Sequence, residues 1–134
     1  SRLFVTAAHL RVPFFSVVLR KGYGLGAMGM AAGGFHAPVF TIAWPTGEFG
    51  AMGLEGAVRL GFRKELEALP EGAERDALFQ KLVAKSYANG EAMHMAATLE
   101  IDAVIDPADT RAWLARGLAS ARVGTLGPRF VDTW

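Results

Sequence analysis

Apolar residues fall along this chain in two kinds of block. Two short unbroken runs, Val12-Pro13-Phe14-Phe15-Ser16-Val17-Val18-Leu19 and Val39-Phe40-Thr41-Ile42-Ala43, are rich in aromatic and β-branched residues. Continuous rather than alternating hydrophobicity suits strands covered on both faces, so strands are predicted over residues 14–19 and 39–43. Elsewhere apolar residues recur at helical spacing. Leu3, Ala7 and Leu10 share a face, which predicts a helix over residues 2–10. Leu54, Ala57, Val58, Gly61, Phe62 and Leu66 form a stripe on a helix over residues 54–69, broken by Pro70 and Gly72. A helix over residues 73–89 turns Leu78, Leu82 and Tyr87 inward and Arg75, Lys81 and Lys85 outward, and Gly90 stops it. Another helix is predicted over residues 91–98 and a short strand from Ile101 to Ile105. Asp106-Pro107 then reads as an N-cap followed by a proline at the first helical position, starting a helix that runs to residue 121 through Trp113, Leu114 and Leu118.

Between the first two strands lies Arg20-Lys21-Gly22-Tyr23-Gly24-Leu25-Gly26-Ala27-Met28-Gly29-Met30. It reads as a glycine-rich turn, then a short helix over residues 27–32 that Gly33-Gly34 would end. Trp44-Pro45-Thr46-Gly47 is a turn, and residues 123–134 look irregular. The order is an α/β pattern. Two strong strands and a weak one make a poor sheet alone, so strands from elsewhere are expected beside them. The chain starts without methionine and runs at once into amphipathic sequence, which suggests that it lies inside a larger polypeptide.

Composition narrows the function classes. The 134 residues suit one domain, and 51% hydrophobic with 20% charged residues is enough for a core and too much for disorder. A net charge of +1 gives no strong pull toward nucleic acid or an anionic membrane. With no cysteine, disulfides and thiolate metal sites are excluded, and a cytoplasmic protein is the expectation. No apolar run reaches the roughly 20 residues of a membrane helix, and the N-terminus lacks the pattern of a signal peptide.

The glycine-rich turn is the main candidate for chemistry. A strand feeding such a turn leaves backbone N–H groups free to meet a phosphate or an oxyanion. The same residues also suit a tight connection between closely packed elements. Arg20 and Lys21 beside it would attract an anion or merely solvate a strand end. Glu48 and Glu55 are the carboxylates near the Trp-Pro segment and could suggest a general base; for Glu55 a structural role at the helix start near Gly53 is the better reading. His9, His36 and His94 show no ligand spacing, so no metal site is expected, and His94, between Met93 and Met95, is expected to pack against the fold. The methionines are expected to fill gaps in the core.

Three segments together resemble the carboxyltransferase (β-type) subunits of biotin-dependent acyl-CoA carboxylases of the acetyl-, propionyl- and methylcrotonyl-CoA carboxylase type. The first runs from Val12-Pro13 to Arg20-Lys21-Gly22-Tyr23-Gly24-Leu25-Gly26-Ala27-Met28. The second is Ala43-Trp44-Pro45-Thr46-Gly47-Glu48-Phe49-Gly50-Ala51-Met52-Gly53-Leu54-Glu55-Gly56-Ala57-Val58. The third is Glu100-Ile101-Asp102-Ala103-Val104-Ile105-Asp106-Pro107-Ala108-Asp109-Thr110-Arg111. They come in the family's order and correspond to the second half of its C-terminal domain. The resemblance implies an α/β, crotonase-like (ClpP/crotonase) spiral fold present as a partial domain. Residues 1–122 would be the C-terminal portion of a carboxyltransferase domain and residues 123–134 a tail.

The implied reaction carries CO2 from carboxybiotin to the α-carbon of an acyl-CoA. It passes through oxyanions that backbone amides can stabilise. The resemblance puts those donors at Gly24-Leu25-Gly26-Ala27. The pair is either Leu25/Gly26 or Gly26/Ala27, and the latter is favoured for its place at the helix start. Tyr23, Gly24, Arg20 and Lys21 would face the cofactor; for Tyr23 the rival role is a core tyrosine with its hydroxyl satisfied. Met28 would help select the acyl chain. The implied partners are a biotin carboxyl carrier protein, a biotin carboxylase, an acyl-CoA thioester and further copies of the subunit, with no nucleic acid and no membrane. The alternatives are a biotin-dependent decarboxylase component of the same fold and a non-catalytic assembly domain.

Overall fold

The computed structural model describes residues 2–122. The predicted tail therefore lies outside the described residues. Helix α1 spans Arg2–Ala8, strand β1 Phe15–Val18, β2 Lys21–Tyr23 and helix α2 Gly24–Met30. Strands β3 (Phe40–Ala43) and β4 (Glu48–Gly50) follow, then helices α3 (Leu54–Gly61), α4 (Arg63–Glu67), α5 (Ala73–Asn89) and α6 (Ala92–Ala97). Strand β5 (Ala103–Val104), a 3-10 turn over Pro107–Asp109 and helix α7 (Thr110–Ser120) complete the order.

The strands form two parallel sheets. One has the order β1-β3-β5 and the other pairs β2 with β4. In the first, Phe15 to Val18 lie opposite Phe40 to Ala43, and Ile42 and Ala43 lie opposite Ala103 and Val104. β3 is the middle strand and all four of its residues are buried, which is why its sequence is an unbroken apolar run. Alternation sends Phe40 and Ile42 to one face, where they meet Phe15, Trp113, Leu114 and Ile105. Ala43 faces the other way, against Phe49, Ala92 and Ile101. β1 sits at the edge of its sheet, half-buried, and the buried Ser16 hydroxyl finds no hydrogen-bond partner among the described residues.

The Trp-Pro segment and the Asp-Pro segment meet. The Trp44 indole N–H donates to the Thr110 hydroxyl at 3.0 Å, and that hydroxyl donates to the Pro107 carbonyl at 2.7 Å. Asp106 caps the turn as predicted, accepting the Ala108 N–H at 2.8 Å. Asp102 accepts the Thr41 N–H at 2.7 Å and so ties the start of the last strand segment to β3.

Several expectations need correction. The single helix over residues 54–69 is two helices, broken at Phe62, which is 38% exposed while Leu54, Val58 and Leu66 are buried. Arg75 does not point outward: its guanidinium donates to the Leu69 carbonyl, closing the bend between α4 and α5. Leu118 is exposed, because Gly117 takes the position against Phe40 and Phe15 that a side chain would block. His94 is exposed rather than packed. Met28, Met30, Met52 and Met93 are exposed too, and only Met95 packs against the core. Short α2 and α6 bury one small residue each, Gly29 and Ala92, so their longer side chains are left at the surface.

Candidate active site

The glycine-rich segment is not a loop ahead of a helix. Residues Lys21 to Tyr23 pair with Glu48 to Gly50 as β2 and β4, and the helix begins at Gly24, three residues earlier than the pattern predicts. Glycine makes the abrupt change possible. Gly24 has φ +57°, and a Cβ there would lie 2.6 Å from the Ala51 carbonyl oxygen. Tyr23, the cap residue, makes no side-chain capping bond. The amides of Gly24, Leu25 and Gly26 therefore open the helix without an intrahelical acceptor. Ala27 is the first whose amide lies four residues on from the cap carbonyl.

A cavity of about 770 Å³ lies beside this turn and runs along the edge of β1. Of the residues singled out in the sequence, Arg20, Lys21, Tyr23, Gly26 and Ala27 line it. Its apolar wall comes from β1 and from Phe14, Met30 and Phe35. Gly24, Leu25 and Met28 are not on that wall. Leu25 is exposed and Met28 partly so, on the outer side of α2. Space around Gly26 is open: a Cβ there would meet nothing within 4 Å.

Two phenol–carboxylate pairs, which the sequence pattern did not reveal, stand next to the turn. Tyr23 donates its hydroxyl to Glu48 at 2.8 Å, and Tyr87 on α5 donates to Glu55 on α3 at 2.7 Å. Tyr23 thus takes the second of its two predicted roles, a tyrosine with its hydroxyl satisfied, while still lining the cavity. Glu55 stands in the first turn of α3, near the cap residue Gly53, as expected, and it also accepts the Tyr87 hydroxyl. Burial, then the bond to Glu48, pushes the Tyr23 phenol well above its ordinary range. The bond from Tyr87 holds the Glu55 carboxyl below its ordinary value, and the same bond raises the Tyr87 phenol. Both tyrosines are therefore neutral donors at physiological pH. The one signal in the sequence was the placement of Tyr23 and Glu48 on facing strands, visible only once the short β2 and β4 are known.

Among the described residues, no group of three His, Cys, Asp or Glu side chains could hold a metal ion. No helix among them is long and apolar enough to cross a membrane. What lines the cavity at the turn is Gly26 and Ala27 of α2, with Arg20 and Lys21 beside a mainly apolar wall.

Comparison with known proteins bears on that arrangement. The sequence matches the carboxyl transferase domain family over residues 1–126. It is 35% identical over 122 residues to the methylmalonyl-CoA carboxyltransferase 12S subunit of Propionibacterium freudenreichii subsp. shermanii, covering 88% of this chain and 22% of that one. The structure is similar to a transcarboxylase 12S crystal structure with methylmalonyl-coenzyme A and methylmalonic acid bound, described as a hexamer assembly. The TM-score is 0.81 at 31% identity, over 98% of this chain and 25% of that one. It is also similar to a single-chain, multi-domain long-chain acyl-CoA carboxylase, with TM-score 0.71 at 56% identity, over 86% of this chain and 11% of that one. The chain therefore spans at most about a quarter of each of these relatives.

Proposed function

The chain belongs to the carboxyl transferase domain family, and from that premise we propose that it forms the carboxybiotin-facing part of an acyl-CoA carboxyltransferase site of crotonase-like, α/β fold. The observation that carries the reading is the helix start at Gly24, where Gly26 and Ala27 line a cavity of about 770 Å³. Biotin, brought by a carrier protein and charged by a biotin carboxylase, would supply the activated carboxyl group. The residues present suit it: the amides of the turn can donate to a ureido oxygen, and the apolar wall of β1 can cover the rings. Gly26 is common to both donor pairs expected from the sequence and also lines the cavity, so it is the donor of choice. Leu25 completes the pair rather than the favoured Ala27, because the Ala27 amide lies four residues on from the Tyr23 carbonyl and is spent inside α2. Such donors are aimed in advance at the place where negative charge develops, in a site from which water is largely excluded.

Tyr23 lines this wall, Gly24 sets the bend that follows it, and Arg20 and Lys21 draw the anionic substrate toward it. Met28, on the outer side of α2, is positioned to touch an acyl chain bound by a neighbouring part of the fold. The edge of β1, without a partner strand among the described residues, supports the idea that the sheet continues with strands from another part of the polypeptide. Assembly with further copies of the subunit, in the cytoplasm, belongs to the same reading.

The test uses the full-length polypeptide that carries this segment, with a biotinylated carrier, its carboxylase and labelled bicarbonate. Acetyl-, propionyl- and methylcrotonyl-CoA serve as acceptors. Gly26→Pro removes an amide that has no intrahelical partner. Label transfer by the wild type and a loss of about 10²–10³ in kcat for a folded Gly26→Pro variant are expected, as for removal of one oxyanion donor. Near-normal transfer by that variant would refute the assignment.

A further inference from the structure

The bend from β2 into α2 is held from one side only by backbone geometry, since the helix start has no side-chain cap. A second constraint comes from the facing strand. In the β2–β4 ladder Lys21 lies opposite Glu48 and Tyr23 opposite Gly50. Side chains two apart on a strand share a face, so Lys21, Tyr23, Glu48 and Gly50 stand on one side and Gly22 and the buried Phe49 on the other. Gly50 leaves that side bare opposite Tyr23: a Cβ there would lie 3.5 Å from the Tyr23 ring and 2.7 Å from Leu54. The ring lies across this gap and its hydroxyl reaches diagonally back to Glu48 at 2.8 Å. The Lys21 ammonium stands 6.0 Å from the centre of the same ring.

Glu48 is itself fixed at both backbone edges. Its N–H donates to the Arg20 carbonyl at 2.6 Å, and on the other side it bridges to Glu91. Next to it Phe49 donates its N–H to the Gly90 carbonyl at 2.8 Å, and Ala92 donates to the Gly47 carbonyl at 3.0 Å. β4 is thus clamped between β2 and the α5–α6 junction. A side chain anchored to Glu48 is anchored to the most constrained strand near the turn.

We propose that Tyr23 and Glu48 act as a positioning pair for carboxyl transfer: their hydrogen bond locks the residue preceding Gly24 onto β4 and so fixes the direction of the Leu25 and Gly26 amides. This rests on the carboxyltransferase reading above and adds the two side chains that keep its donors aimed. The Tyr87–Glu55 pair supplies an internal control. It has the same chemistry and a similar length, 2.7 Å, but its hydrogen bond joins α5 to α3 and ties down no residue of β2.

The experiment measures kcat and KM for propionyl-CoA in the full-length polypeptide with its carrier, for Tyr23→Phe, Glu48→Ala, Glu48→Gln and Tyr87→Phe. Hydrogen exchange over residues 21–28 is followed by mass spectrometry in the same proteins. Tyr23→Phe and Glu48→Ala are each expected to lower kcat about ten- to a hundredfold with KM little changed, as for misplaced catalytic groups. The double variant is expected to be no worse than either single one, because both remove one interaction. Glu48→Gln, which keeps an acceptor oxygen, is expected to restore most of the kcat lost in Glu48→Ala. Tyr87→Phe is expected to lower thermal stability without the kcat effect. Exchange over residues 21–28 is expected to quicken about tenfold in Tyr23→Phe and not in Tyr87→Phe. Equal effects of Tyr23→Phe and Tyr87→Phe on kcat, or no rescue by glutamine, would overturn the pair. A wild type that transfers no label at all would sink the carboxyltransferase reading instead. The exchange comparison still decides the pair in that case, and unchanged exchange in Tyr23→Phe overturns it.

Discussion

Gly24 and Gly26 are two residues apart and both belong to the first turn of α2, yet they tolerate different changes. At Gly24 a methyl group would meet the Ala51 carbonyl oxygen at 2.6 Å on a backbone with φ +57°. At Gly26 it would meet nothing within 4 Å. Gly24→Ala is therefore expected to destabilise the fold by about 1–3 kcal/mol, and Gly26→Ala to leave stability unchanged or raise it by up to about 1 kcal/mol. Thermal denaturation of the two variants checks this, and equal losses would contradict it. Tyr23 gives a pH-dependent case. Its phenol is raised in the fold, first by burial and then by Glu48. A raised value means that the bond's contribution is complete below the ordinary phenol value of about 10 and is lost as pH climbs above it. The stability gap between wild type and Tyr23→Phe should thus be constant near neutrality and shrink above pH about 10. A gap that persists unchanged into strong alkali would show that the fold does not raise the Tyr23 phenol.

Elements with strong, self-contained signals were legible in the sequence. Helix α5, Ala73–Asn89, has the bounds that Gly72 and Gly90 predict, and Asp106 caps the turn before α7. The unbroken apolar run of β3 correctly marked a strand buried on both faces. β2 and β4 escaped because each has three residues, too few for a period to show, and because β2 is half glycine-rich turn in composition. The helix start moved to Gly24 for the same reason. Propensity argues against glycine in a helix, and the contact between Gly24 and Ala51 that rewards it lies 27 residues away. The break at Phe62 was invisible because the apolar stripe continues across it to Leu66. At this level Asp106→Ala is expected to cost about 1 kcal/mol of stability. Chemical denaturation should show a lower midpoint with an unchanged slope, and an unchanged midpoint would mean that the cap is redundant.

Taken whole, the chain packs two faces of a three-stranded sheet against different partners, β4 with α6 on one side and α7 on the other. The glycine-rich bend is joined to the first of these layers through β4. The site was partly legible. The glycine pattern led to a turn that adjoins a cavity, and the family resemblance is borne out by the match to the carboxyl transferase domain over residues 1–126. The phenol–carboxylate pairs were not legible, since they depend on strand register and helix placement across 25 and 32 residues of sequence. Phe49 sits in the layer that joins bend and core, 2% exposed. Phe49→Ala is expected to cost about 3–5 kcal/mol and, by loosening β4, to lower transfer as well as stability. Whether the turn serves as an oxyanion site is best judged in a crystal of the full-length polypeptide with an acyl-CoA and biotin bound. The distance from the Gly26 amide nitrogen to the nearest ureido or thioester oxygen should then be about 2.7–3.1 Å. If both oxygens lie beyond hydrogen-bonding reach of every amide from Gly24 to Ala27, the turn is a structural connection and the chemistry lies elsewhere.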